Sequence, residues 1–300
     1  MDQLHLGKTS LGVEVAKILN GEIISADSMQ IYKEMNIGTA KVTPEEMQGI
    51  PHYLIDFLNP DEEYNVSLYA ESANQKIKEI LEKEKVPIIV GGTGLYVDTL
   101  INGIEFKEIE NDIEYRMELE SILLKENGID ILYEKLKEVD FDSYQKIDKN
   151  NVRRVMRALE IYKVTGKTKT ELDKESQKGS PYDFIVFGIE WDREELYDRI
   201  NKRVDIMIND GLVDEVKSLN SKYRLSKTAL QGLGYKEVIE YLNNQIDYDE
   251  MIDKIKKESR HYAKRQMTWF RHIDNIIWLD GKDKDKMVNT VINEYKKTNE

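Results

Sequence analysis

The chain has 300 residues carrying 44 Lys and Arg against 57 Asp and Glu, a formal net charge of −13, 40% hydrophobic residues and no cysteine. That length supports one large or two moderate globular domains; the missing cysteines exclude disulfides and thiolate metal sites, and the four histidines (His5, His52, His261, His272) show no HExxH spacing for zinc. The acidic balance argues against indiscriminate nucleic-acid binding, so contacts to phosphate must come from local groups of Lys and Arg. No apolar run is long enough to cross a bilayer and no basic-then-apolar leader is present, which makes the cytoplasm the expected compartment.

In chain order, residues 9–19 have the apolar spacing of a helix that closes at Asn20-Gly21, and Gly7-Lys8-Thr9-Ser10 stands at its start. These four are the second half of a G-x-x-x-x-G-K-[ST] phosphate loop, with Asp2 where the first glycine belongs and only Met1 to Leu6 in place of the preceding strand. On their own they equally describe an ordinary helix N-terminus. The apolar run 22–26 predicts a buried parallel strand, and Asp27, Ser28 and Gln30 follow at its carboxyl end, the edge of an open α/β sheet where ligands bind. A phosphate cradle beside a carboxylate points to a phosphorylated donor and a nucleophile that must lose a proton.

A strand is predicted over 52–56, a helix over 67–85 and a second clear strand over 86–90, its proline placed near the start. Gly91-Gly92-Thr93-Gly94 then lies between that strand and a helix from 95, letting backbone amides and one hydroxyl approach a ligand, or simply making a tight turn. From 111 to 181 strand signals vanish and charged helices are predicted over 112–126, 130–138 and 150–164, as in a helical insertion or lid. In the last of these Val152, Val155, Met156, Leu159 and Tyr162 share one face, while Arg153, Arg154 and Arg157 project from the other with Glu160 the nearby acid. That side is either a solvated face or a contact to phosphates.

Strand texture resumes at 184–189, and Asp192 with Glu195 opens a helix that turns Leu196, Ile200, Val204 and Met207 inward. Arg199 and Arg203 lie one turn apart beside that stripe, placed either to lay their stems on apolar surface or to reach a pyrophosphate. Over 251–273, at about 100° per residue, Met251, Ile252, Ile255, Tyr262, Trp269, Phe270 and Ile273 occupy one side of a helix and Lys257, Arg260, Lys264 and Arg271 the other. In an acidic protein this cationic rail is the strongest internal pointer to nucleic acid. A final strand at 276–279 and a Lys-rich helix after Gly281 complete the chain.

GKTS, ISADSMQIYKEMNIGTAK, PHYLIDFLNP, VGGTGLYV, RRVMRALEIY, RVDIMINDGLVDEV, QGLGYKEV and AKRQMTWFR together resemble the tRNA dimethylallyltransferase (isopentenyltransferase) family, from Gly7 to about Leu279. The resemblance implies an α/β fold: a P-loop NTPase-like parallel sheet core flanked by helices (1–110 and 182–300), with an all-α insertion domain at 111–181. It implies transfer of the dimethylallyl group from dimethylallyl diphosphate to N6 of the adenine 3′ to the tRNA anticodon, with magnesium as counterion of the diphosphate and the chain acting as a monomer. Carried over residue by residue, Asp27 is the general base, with Thr93 and Arg203 as its catalytic companions. Gly7, Lys8, Thr9, Ser10 and Arg203 face the diphosphate, and the Thr9 hydroxyl meets its magnesium. Asp27, Ser28, Met29, Gln30, Thr93, Arg116, Arg153, Arg154, Arg157, Gln231, Gly232, Gly234, Tyr235, Lys236, Lys264 and Arg265 contact tRNA.

Family members begin with an apolar strand and a complete phosphate loop where this chain has MDQLHL. As written, the chain is therefore expected to leave the neighbouring strands unpaired and to lose stability and activity. Two further functions fit the same residues: a P-loop nucleotide or small-molecule kinase with the insertion as lid, and a tRNA-binding protein without catalysis.

Overall fold

A computed structural model describes residues 7–106 and 112–299; MDQLHL and the expected domain boundary at 110/111 lie outside the described residues. The chain divides into two compact units, the first ending at Ile101 and resuming at Tyr182, the second spanning Asn102–Pro181.

The first unit opens with α1 (Lys8–Leu19) and β1 (Gly21–Ala26), then α2 (Pro44–Met47), β2 (His52–Tyr53), α3 (Val66–Glu82), β3 (Val86–Gly91) and α4 (Gly94–Asn102). The second unit holds α5 (Ile113–Leu123), α6 (Gly128–Val139), α7 (Phe141–Lys146), α8 (Val152–Thr165) and α9 (Lys169–Ser176). The first unit resumes with β4 (Phe187–Glu190), α10 (Arg193–Asn209), α11 (Leu212–Lys222), α12 (Tyr235–Leu242), α13 (Tyr248–Phe270), β5 (Ile277–Asp280) and α14 (Lys284–Asn299). No helix among the described residues is long and apolar enough to cross a membrane.

β1 is buried along its whole length and pairs in parallel with β2 on one side and β3 on the other. That accounts for its lack of apolar–polar alternation, since a strand covered on both faces has no solvent side to alternate with. β4 and β5 form a separate parallel pair, so among the described residues β3 and β4 each have a strand partner on one edge only. Both sheets contribute to one apolar cluster, in which Ile88 of β3 and Phe187 and Ile189 of β4 pack with Leu11 and Val15 of α1. The largest cluster lies elsewhere in the unit, where Ile24, Tyr32, Tyr69, Val204, Leu212, Tyr235 and Ile255 are buried together. Leu119, Leu132, Leu136, Val155 and Leu159 make the core of the second unit.

Several predicted boundaries shift for identifiable reasons. The strand expected over 52–56 is confined to His52–Tyr53, because Leu54 and Asp56 take φ of 58° and 56° and turn the backbone out of the ladder. The helix expected to run to 85 stops at Glu82, and Glu84 at φ 56° swings the chain back into β3. The helix over 251–273 ends at Phe270, which leaves Arg271 and Ile273 beyond it.

The turn after α3 serves a buried charge. Glu22, the second residue of β1 and 2% exposed, accepts hydrogen bonds from Lys85 (2.7 Å), Lys83 (3.1 Å) and the Tyr53 hydroxyl (2.8 Å). Burial by itself would raise its pKa, but the bonds from Lys85, Tyr53 and Lys83 outweigh that and hold the carboxyl at about 2. With its folded pKa depressed, Glu22 stabilises the fold fully above the ordinary value of 4.5, and this contribution is lost as pH falls from there towards 2. Glu22→Gln should cost about 2 kcal/mol at neutral pH, allowing for the partly exposed lysines. Thermal melts should show its deficit against wild type narrowing between pH 4.5 and 3; a gap that widens on acidification would contradict this account.

Candidate active site

The site forms where β1 and β3 end side by side. Gly91 is the last residue of β3 in register with Ala26 of β1, and the Thr93 amide donates to the Ala26 carbonyl at 3.0 Å, folding the GGTG turn over the end of β1. On the β1 side, Asp27 Oδ1 accepts the amides of Met29 (2.9 Å) and Gln30 (3.3 Å), a short side-chain turn that fixes the carboxylate. Oδ2 takes no hydrogen bond among the described residues. The two turns are stitched together, since the Ser28 amide donates to Thr93 Oγ1 at 3.0 Å and that hydroxyl donates to Ser28 Oγ at 3.2 Å.

Cations converge on the same place. Gly7 takes φ 85°, a left-handed conformation open to glycine, and so turns the chain into α1 with Lys8 as its first residue. A Cβ added to Gly92 would sit 2.8 Å from Lys8 Nζ, which places the ammonium directly over the GGTG turn. Burial lowers the Lys8 pKa, Asp27 opposes that, and Arg203 of α10 adds to it. Arg203 shows the same pattern, lowered by burial and supported by Asp27. Two withdrawn cations thus share one carboxylate, and the surplus positive charge invites an anion. Ser10 turns its hydroxyl back to the Gly7 carbonyl at 3.3 Å, and Thr9 stands half-buried in the first turn of α1.

Sequence pattern does not select three side chains that the fold brings here, Tyr262, Gln266 and Trp269, all on one face of α13. Gln266 Nε2 donates to the Gly92 carbonyl at 2.6 Å, and the Trp269 ring covers Gly94, where a Cβ would meet it at 2.6 Å. The Tyr262 hydroxyl faces Gln266 and Thr93; burial and then the Asp27 charge raise its pKa. In the sequence Tyr262 and Trp269 read as ordinary buried-face residues, and the usable signal is a glutamine within that aromatic stripe, four residues after one and three before the other.

The remaining candidates fall into groups. Gln30 Nε2 donates to the carbonyls of Thr39 (3.3 Å) and Ala40 (3.2 Å), in a loop whose amides at Asn36, Ile37 and Gly38 are held by Glu215 of α11. Tyr235 is fully buried and gives its hydroxyl to Glu215 at 2.7 Å, so its side chain braces that loop and is not presented at the surface. Gly232 and Gly234 are buried as well, which leaves Gln231 and Lys236 as the exposed members of QGLGYK.

In the second unit, Arg116 (3.0 Å) and Arg157 (3.5 Å) meet on buried Glu160, while Arg153 and Arg154 are exposed. Arg199 stacks on Trp191 at 3.7 Å, which separates its role from that of Arg203. The cationic rail is also thinner than its pattern: Arg260 binds Asn201 and the exposed Arg271 pairs with Glu190, which leaves Lys257 and Lys264 as its other exposed members, with exposed Arg265 beside them. No group of three or more His, Asp or Glu side chains able to hold a metal occurs among the described residues.

The chain matches the model of a family described as IPP transferase over residues 30–273. It is 52% identical over 281 residues to a tRNA dimethylallyltransferase of Acetivibrio thermocellus, covering 93% of this chain and 90% of that one. The crystal structure of the full-length tRNA isopentenylpyrophosphate transferase of Bacillus halodurans superposes with a TM-score of 0.72 at 43% identity, covering 97% of this chain and 92% of that one. A eukaryotic dimethylallyltransferase, captured in crystallographic snapshots acting on tRNA, superposes with a TM-score of 0.76 at 31% identity, covering 93% of this chain and 72% of that one. Because the family match takes in more than half of the chain, the GGTG turn included, and identity of this order runs along nearly the whole length, the chain belongs to the IPP transferase family.

Proposed function

We propose that this protein transfers the dimethylallyl group of dimethylallyl diphosphate to N6 of the adenine on the 3′ side of the tRNA anticodon. The observation that carries the proposal is Asp27, with one carboxylate oxygen anchored by two backbone amides and the other left to accept a proton, beside the half-buried cations Lys8 and Arg203. In the reaction the N6 lone pair forms a bond to C1 of the allyl group as the C1–O bond to diphosphate breaks. The N6 proton passes to Asp27 Oδ2, and the electron pair of the broken bond leaves with the diphosphate. Lys8, Arg203 and the amides at the start of α1 meet the charge that grows on that leaving group.

Magnesium fits these residues as a counterion brought by the diphosphate: one hydroxyl, Thr9, stands at the head of α1, and no all-protein carboxylate cage is present among the described residues. When bound it would share the leaving-group charge. Thr93, bonded to both the amide and the hydroxyl of Ser28, lines the turn opposite Asp27 and holds the acceptor side of the site in place.

The target adenine must leave its stack to reach a carboxylate at a sheet edge, and Ser28, Met29 and Gln30 are the residues it meets first. Exposed Arg116, Arg153, Arg154, Lys236, Lys264 and Arg265, with the half-buried Arg157, serve the tRNA backbone, a role that scattered cations fill in an acidic protein. The sheet with α1 is a P-loop-like core, residues 111–181 are a helical insertion into it, and the protein works as a monomer in the cytoplasm. The test is incubation of unmodified tRNA with labelled dimethylallyl diphosphate and magnesium, run beside ATP with small acceptors. Label in the tRNA is expected; label found only in the ATP arm, or tRNA bound without label, would overturn the proposal.

A further inference from the structure

Held by β1 and β3 alone, the GGTG turn would be a free-standing loop, yet α13 reaches across to grip it. Gln266 spends its amide nitrogen on the Gly92 carbonyl at 2.6 Å, the shortest of the polar contacts to the turn. The position above Gly92 is shaped for that contact: a Cβ there would come 2.2 Å from Gln266 Nε2 and 3.2 Å from its Cδ, so any side chain at residue 92 would displace the carboxamide. One turn further along α13, Trp269 closes over Gly94 in the same way. Gly92 and Gly94 flank Thr93, whose hydroxyl both accepts from Ser28 N and donates to Ser28 Oγ. Tyr262, one turn back along α13, sets its hydroxyl against Gln266 and Thr93 and feels the charge of Asp27.

We propose that Gln266 is a positioning residue: by holding the Gly92 carbonyl from α13, with Tyr262 behind it, it fixes where the Thr93 hydroxyl stands relative to Ser28 and Asp27. The proposal deepens the prenyl-transfer reading and rests on it for its kinetic arm. A carbonyl released from Gln266 lets the Gly92–Thr93 peptide rotate, and Thr93 Oγ1 then leaves the Ser28 amide, the residue adjoining the general base. A displacement of about 1 Å at such a contact is enough to slow a step that depends on alignment by about 10-fold to 100-fold. A brace serving stability alone would behave differently. Its loss would lower the melting temperature and leave turnover per folded molecule unchanged.

The experiment compares wild type with Gln266→Leu and Tyr262→Phe by steady-state kinetics, thermal melting and hydrogen-exchange mass spectrometry of peptides covering 26–30 and 91–94. Gln266→Leu is expected to lower kcat at least about tenfold with KM for tRNA within about twofold, and to speed exchange in both peptides while peptides of the second unit are unchanged. Tyr262→Phe is expected to give a smaller loss of kcat in the same direction. Unchanged kcat and exchange in Gln266→Leu would overturn the proposal, as would a lowered melting temperature with exchange raised throughout the chain. If wild type transfers no dimethylallyl group to tRNA, the functional reading fails, and the exchange data decide the positioning role by themselves.

Discussion

Asp27→Asn should reduce dimethylallyl transfer by about 10³-fold while tRNA affinity stays within about twofold of wild type. The substitution isolates the proton transfer. Asparagine keeps a carbonyl oxygen where Oδ1 accepts the Met29 and Gln30 amides, so the turn that orients the side chain survives. In place of Oδ2 stands a donor, which has no lone pair for the N6 proton. The variant also removes the negative charge that supports Lys8 and Arg203 in their half-buried positions. Those cations are left with a larger unmet demand for an anion, so affinity for the diphosphate donor should hold steady or increase. Single-turnover assays, gel shifts with tRNA and equilibrium binding of diphosphate check the three parts separately. Retention of more than about a tenth of wild-type turnover would remove Asp27 from the role of base.

Arg203→Gln should lower kcat by about 10² to 10³-fold, the range for loss of one preorganised charge at a site where charge develops. Its half-buried guanidinium lies beside Asp27, where the surroundings screen it less than water would and where it meets the departing diphosphate without first being rearranged. Arg203→Lys should restore little, because a point charge does not reproduce a planar fork against phosphate oxygens. Arg199, four residues earlier on the same helix, is the internal control. Its guanidinium lies on the Trp191 ring, and Arg199→Gln should leave transfer within about threefold of wild type. Equal losses in the two variants would mean that α10 contributes general positive field and no specific contact to the leaving group.

The elements that sequence pattern locates well are those whose cause is local. The run Glu22-Ile23-Ile24-Ser25-Ala26 forms a strand because both faces are covered, and the alternation needed for an exposed strand is absent. α1 begins and ends at the residues its glycines and Asn20 dictate, and the stripe on α8 packs through Val155, Met156 and Leu159, although Tyr162 at its end is left exposed. Errors cluster where a single backbone angle decides, as at Leu54, Asp56 and Glu84, whose left-handed φ values end a strand and a helix without any glycine to announce it. Charge patterns mislead for a different reason. Arg116 and Arg157 share Glu160, and Arg260 and Arg271 find Asn201 and Glu190, partners remote in the chain for all but Arg157.

The sequence by itself determined that a carboxylate follows a buried strand, that a lysine heads a helix beside it, and that a glycine-rich turn ends the next strand, since each depends on neighbours a few residues away. Tertiary structure alone decided that Arg203 and not Arg199 stands beside Asp27, that Tyr235 is a buried brace, and that Gln266 grips the turn carrying Thr93. Those outcomes depend on how α10 and α13 reach the turns that follow β1 and β3, and on how α12 packs against α11. A helix with a 3.6-residue repeat specifies which side chains share a face, but the partner of that face is chosen by packing between distant segments.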